Sequence, residues 1–83
     1  MEQALRIKEF ADIDTSKICY WFEQGLWWIY LPKCGVGNLS NHTIVENSSH
    51  TITVTPSILV KGHNKGQTLV RHGYLTDGIW KEC

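Results

Sequence analysis

His72 and Cys83 are the residues of this sequence whose types and spacing most directly suggest chemistry. Between them lies Asp77-Gly78, a dipeptide that favours a two-residue type I′ hairpin turn. Such a turn sets Leu75 opposite Trp80, Tyr74 opposite Lys81 and His72 opposite Cys83. Directly opposed residues hold their β-carbons roughly 4.5–5.5 Å apart. An imidazole and a thiolate at that separation can both ligate one zinc ion, at about 2.0 and 2.3 Å, or can act as a nucleophile and its base. Cys83 ends the sequence, where a nucleophile is hard to hold in place but a metal would pin the chain. The plain alternative is a free thiol at a hairpin end. A structural zinc site uses four protein ligands, and the candidates that complete the set are Cys34 and His42, giving Cys34, His42, His72 and Cys83. Their spacing follows no zinc-finger pattern, because no Cys-x-x-Cys is present. His42 otherwise reads as a histidine at the rim of the core. His50 and His63 read as loop or surface residues.

Other chemistries find less to work with. Nothing resembles a serine triad or a metalloprotease helix motif. After residue 20 the carboxylates are Glu23, Glu46, Asp77 and Glu82, and three of them sit at or beside turns. No pair is placed for general acid–base work. Gly35-Val36-Gly37 begins a phosphate-loop pattern, but Ser40 stands where the third glycine belongs, so a tight glycine-rich loop is the expected reading. Lys61, Lys65 and Arg71, with His63 and His72 nearby, make a local basic set suited to nucleic acid or nucleotides. The eight basic residues are balanced by eight acidic ones, so the overall excess of positive charge that drives non-specific nucleic-acid binding is missing. Solubilising loop charges are the simpler reading of the three.

The elements that must position these residues are short and β-rich. Residues 18–22 and 26–31 are β-branched and aromatic, and Glu23-Gln24-Gly25 between them is a turn signal, so they read as a hairpin. Six of the nine aromatic residues lie between Tyr20 and Tyr30. Both strands are almost continuously apolar, which predicts that both faces are covered. One cover is the core. The other is either more of the same small domain or a partner, since Trp and Tyr anchor interfaces; Trp21, Trp27, Trp28 and Tyr30 are the candidate contact residues. Residues 42–46 and 50–55 form a second expected hairpin around the three-residue loop Asn47-Ser48-Ser49. That register sets Ile44 opposite Ile52 and gathers His42, Ile44, Ile52 and Val54 on one face. Pro56 is expected to break the ladder, residues 57–60 to be a separate extended piece, and residues 62–67 to be a polar loop. Residues 69–75 and 79–83 make the last hairpin. Residues 5–10 suit either a short strand or the start of a helix.

The chain of 83 residues is expected to form a single domain, 1–83. It is all-β, or β-rich α+β with one short N-terminal helix, and is built of antiparallel hairpins. A core this small often needs a disulfide, a metal or a partner chain. Three cysteines, Cys19, Cys34 and Cys83, and an N-terminus without an apolar stretch argue against a secreted disulfide framework and for a cytoplasmic location. No apolar run approaches the length of a membrane span. Uncovered strand edges make a homodimer credible.

Thr55-Pro56-Ser57-Ile58-Leu59-Val60, followed by Arg71-His72-Gly73-Tyr74-Leu75-Thr76-Asp77-Gly78-Ile79, resembles a family of small proteins encoded by phages and prophages. Members carry Cys-Pro-x-Cys, a His, a Pro-Ser-Ile-Leu run, Cys-His, an Asp-Gly and a final Asp-Cys. Here Leu31-Pro32-Lys33-Cys34, His42, Arg71-His72 and Glu82-Cys83 occupy those places, with two of the cysteines replaced. The resemblance covers roughly the last 55 residues. It implies a phage or prophage origin and a host cytoplasm, where small accessory proteins commonly bind and block a host protein, CRISPR and other defence machinery included. The leading expectation is therefore a protein-binding module that inhibits host defence. A zinc-stapled nucleic-acid or nucleotide binder and a metal- or thiol-dependent enzyme are the alternatives.

Overall fold

Three two-residue turns with glycine in second place organise the chain. Gln24-Gly25, Lys65-Gly66 and Asp77-Gly78 all have positive φ at both residues, 57° and 78°, 52° and 78°, and 49° and 75°. That combination is the type I′ turn, whose twist matches the strands it joins. In the computed structural model, which describes residues 1–83 except for the side chain of Asn64, these turns close three hairpins of an all-β fold. Among the described residues there are nine strands: β1 (Glu2–Gln3), β2 (Leu5–Arg6), β3 (Cys19–Glu23), β4 (Leu26–Leu31), β5 (Gly35–Asn38), β6 (Thr43–Glu46), β7 (Ile52–Asn64), β8 (Gln67–Thr76) and β9 (Ile79–Glu82). The helical content among the described residues is a single 3₁₀ turn, Phe10–Asp12; of residues 5–10, which suited a strand or a helix start, Leu5–Arg6 form strand β2 and Phe10 opens that turn. Among the described residues no helix is long and apolar enough to cross a membrane.

The strands form two sheets, one in the order β1-β9-β8-β7-β6 and one in the order β2-β3-β4-β5. One hydrophobic cluster draws on both. Ile18, Tyr20, Ile29 and Leu31 come from the second sheet and its approach, and Ile52, Val54, Ile58, Leu75 and Trp80 from the first. The N-terminal segment ties the sheets together. β1 pairs antiparallel with β9, β2 pairs parallel with β3, and buried Ala4 between them donates its N–H to the Gly78 carbonyl at 2.8 Å.

The final hairpin has the predicted register: Leu75 pairs Trp80, Tyr74 pairs Lys81, and the Cys83 N–H donates to the His72 carbonyl at 2.8 Å. Elsewhere the structure corrects the reading. The hairpin of β6 and β7 has a five-residue loop, so Ile44 pairs Val54 and Glu46 pairs Ile52. The Asn47 side chain accepts from Thr53 Oγ1 at 3.0 Å, and His50 takes a left-handed φ of 67°; together they close the longer loop. The shift is two residues, so the facing of every side chain is preserved.

Pro56 does not end the ladder. β7 runs through it with a register shift between Val54 and Ile58, where three residues on β7 stand against one, Tyr74, on β8. A bulge is where a residue without an N–H is tolerated in a strand. Residues 62–67 are likewise no loop but the closed end of the β7–β8 hairpin, turning at Lys65-Gly66. The glycine-rich stretch at residues 34–38 is mostly strand β5, paired to β4.

Candidate docking surface

The aromatic hairpin β3–β4 pairs Cys19 with Tyr30, Tyr20 with Ile29, Trp21 with Trp28, Phe22 with Trp27, and Glu23 with Leu26. Because side chains alternate between faces, the four candidate aromatic residues divide. Tyr20, Ile29 and Trp27 face the core side. Trp21, Trp28 and Tyr30 face outward with Glu23, joined by Val36, the β5 partner of Tyr30. Trp27 is half-buried on the core, with Phe22 edge-on at 5.3 Å and the Arg6 guanidinium over its ring at 5.1 Å.

Much of the outward face is covered by the chain itself, in the segment that approaches β3. The Phe10 ring meets Trp21 edge-on at 6.3 Å. The Cys19 thiol lies 3.7 and 3.6 Å from the carbonyls of Asp14 and Lys17, and burial pushes that thiol's pKa up. Tyr30 donates to the Thr15 carbonyl at 3.4 Å. Trp21 is consequently 1% exposed and cannot be a free contact residue, which corrects one expected member of the partner-binding set. The second cover that this hairpin demands is largely intramolecular.

Between Phe10 and Val36 the cover is incomplete. A groove of about 300 Å³ opens there, lined by Phe10, Trp21, Glu23, Gln24, Trp28 and Val36. Phe10 is 60% and Val36 40% exposed, and Trp28 is half-buried. Its polar groups are held in place. Glu23 Oε1 accepts from Trp21 Nε1 at 3.0 Å and from the Phe10 N–H at 3.2 Å, and Trp28 Nε1 donates to the Glu23 carbonyl at 2.9 Å. Sequence reasoning missed Phe10, Glu23 and Val36. Glu23 was legible, since it stands two residues from Trp21 on one strand and so shares its face. Val36 was concealed by reading its flanking glycines as a loop.

The proposed zinc ligands do not assemble. His42 Nε2 lies 3.1 Å from the Ser57 carbonyl, and His72 Nε2 lies 2.7 Å from Ser57 Oγ. Exposed Cys83 adjoins His72 through the backbone. Cys34 is elsewhere, in the β4–β5 turn against Gly62. Gly62 lies five residues along β7 from Ser57, roughly 16 Å of extended chain, too far for ligands of one ion. Among the described residues no three His, Cys, Asp or Glu side chains gather for a metal, so this four-residue set does not fit zinc. Cys34 instead lines a cleft with Pro32, Lys33 and Arg71, and Leu31 beside it is fully buried.

Ser57 Oγ and His72 Nε2 have the separation of a nucleophile and its base. A catalytic pair also needs a third group that orients the base, and among the described residues His72 Nδ1 has none. The buried Nδ1 of His42 is also without a partner among the described residues, and nothing in the structure explains it. The basic set is dispersed by strand alternation. Lys61 pairs Val70 on the outward face of β7–β8, whereas Arg71 pairs Val60 on the inward face. Arg71 donates from Nε to Glu82 Oε1 at 2.8 Å and stacks over Trp80 at 5.8 Å. Lys65 sits at the turn. Comparison with protein-family models, with curated proteins and with solved structures returned no match to this chain.

Proposed function

We propose that this protein is a binding module that docks a partner protein on the outward face of its aromatic hairpin. The observation that carries this reading is the groove between Phe10 and Val36, where exposed apolar side chains flank the edges of two hydrogen-bonded indoles. Aromatic residues held rigidly at a surface concentrate binding energy, because little side-chain entropy is lost when they are covered. The resemblance to phage-encoded proteins supports the finer reading: the partner is a host protein, met in the host cytoplasm, and the outcome is inhibition of a defence system in the manner of an anti-CRISPR protein. A second copy of this chain is the other occupant to test.

The test uses immobilised protein and bacterial host lysate. Wild type is expected to retain one partner in stoichiometric amount. Val36→Glu, on the exposed side of edge strand β5, is expected to lose it, and Lys61→Glu on the other sheet to keep it. Equal retention by wild type and Val36→Glu refutes docking at this face, and a mass twice that of the monomer with no host protein retained assigns the face to self-association. For the finer reading, a phage targeted by host immunity should plate more efficiently when wild type is expressed, and not when Val36→Glu is.

Nucleic-acid binding draws on a separate observation. No carboxylate lies between Glu46 and Asp77, so Lys61 and Lys65 project from a hairpin without local acidic residues. Binding of single-stranded DNA that falls steeply with added salt and is lost in Lys61→Glu/Lys65→Glu would support that reading.

A further inference from the structure

The groove combines two features that select the same kind of side chain. Its accessible walls are aromatic, exposed Phe10 and half-buried Trp28, while buried Trp21, the cross-strand partner of Trp28, supports both from beneath. Its rim carries the Glu23 carboxylate. That carboxylate is already oriented by two donors, and both go to Oε1. An ionised carboxylate has about four acceptor sites, so the group keeps capacity for a further donor without moving.

The surrounding charge has the same sign. Residues 9–23 contain Glu9, Asp12, Asp14 and Glu23 against Lys17 alone, although the chain as a whole is neutral. Among the described residues the ion pairs are Arg6–Glu46, Arg71–Glu2 and Arg71–Glu82, and none involves these four acids. The segment that leads into β3 therefore carries a local excess of acidic residues, with Lys8 and Lys17 as its nearby bases, and Glu23 at the groove has no cationic partner among the described residues.

We propose that the groove receives an arginine side chain of the partner protein, an inference that rests on the docking reading above. A guanidinium is planar, stacks on indole and phenyl rings, and presents a fork of N–H donors that matches a carboxylate. A purely apolar side chain in the same place would strip water from Glu23 and supply no donor in return, which opposes binding.

The test follows the tryptophan indole N–H resonances of the ¹⁵N-labelled protein during titration with acetyl-Gly-Arg-Gly-amide and, separately, acetyl-Gly-Leu-Gly-amide. The Trp28 indole signal is expected to move saturably with the arginine peptide and at least about tenfold less readily with the leucine peptide. Glu23→Gln keeps an oxygen to accept from Trp21 and Phe10, so the fold is retained, yet it should weaken the arginine peptide by about fivefold, the worth of one charge-assisted contact at a surface. Equal response to the two peptides, or undiminished binding by Glu23→Gln, overturns the assignment. If neither peptide moves the indole signals while Val36→Glu still abolishes partner capture, the arginine assignment falls and the docking face stands. If Val36→Glu captures normally as well, both fall.

Discussion

Gly62 is expected to be among the least replaceable residues of the chain, and the reason is geometric. It lies on the inward face of β7, and a β-carbon built there would stand 2.5 Å from Cys34 Cα and 2.7 Å from Cys34 C, with the Cys34 carbonyl oxygen nearer still. Ordinary contacts at a β-carbon begin near 3.4 Å, so Gly62→Ala requires the β7–β8 arm and the β4–β5 turn to separate by about 1 Å. The obstructing atoms are backbone, so no rotamer change relieves the clash. Overpacking of this kind costs about 1–3 kcal/mol, and the upper part of that range applies here. For a domain of this size each kcal/mol lowers Tm by roughly 4–8 °C, so a loss of 2–3 kcal/mol corresponds to roughly 8–24 °C. Gly37→Ala is the matched control: it is also a strand glycine on the same side of the fold, but its β-carbon would meet only Val60 Cγ2, at 3.5 Å. Thermal melting followed by tryptophan fluorescence reads the stability. Thiol labelling in a Cys83→Ser background reads the cause, since Cys19 is buried and Cys34 becomes more accessible as the arm lifts. A Gly62→Ala protein that melts within about 3 °C of wild type with unchanged labelling, or a Gly37→Ala protein that loses as much, would refute the reasoning.

Trp21→Ala should cost about 3–5 kcal/mol in a denaturant titration, because it empties a fully buried position, whereas Phe22→Ala, 53% exposed, should cost much less; the reverse order would mean that the outward cover is wrongly placed. Asp77 has its pKa lowered by hydroxyl donation from Thr51 and then Ser49. For Glu82 burial pushes upward, but hydrogen bonds from Trp80 and Arg71 outweigh it and the pKa is lowered. Both carboxyls therefore bind protons more weakly when folded. The stability they contribute is complete above the unfolded carboxylate range, about pH 4, and is lost as pH falls through their folded pKa values. Asp77→Asn keeps the Asn-Gly turn preference and should flatten the fall of Tm below about pH 4; an unchanged acid limb would show that Asp77 is not linked to folding. Purified protein is expected to carry zinc well below stoichiometry, with Tm insensitive to a chelator. Stoichiometric zinc, measured by mass spectrometry with a chelator-dependent Tm, would require Cys34 to reach His42 and His72 by a rearrangement of the β4–β5 turn.

Local rules carried the parts of this fold that local rules govern. Asp77-Gly78 specified the turn and register of the last hairpin, and with it the adjacency of His72 and Cys83, because a type I′ turn leaves one pairing that keeps Leu75 and Trp80 inward. Continuous apolar runs on β3 and β4 specified that both faces would be covered. What the runs could not say is by what. The cover on the outward face comes from residues beyond the hairpin, and its closing contact, Phe10 on Trp21, is a tertiary event with no periodicity of its own. The same holds for Pro56: a local rule makes it a breaker, but a register shift against β8 absorbs its missing N–H, and two expected fragments become one strand. The zinc set failed for a related reason. Residue types and turn chemistry place neighbours within a hairpin, and the β6–β7 pairing does bring His42 to Ser57, whereas Cys34 reaches its position through the packing of one sheet on the other, which carries it to Gly62. Pairing within a hairpin is set by a few dihedral angles and was readable in the sequence. Which hairpin faces meet, and which surface is left open between Phe10 and Val36, depends on how the two sheets share one core, and only the tertiary structure decides it.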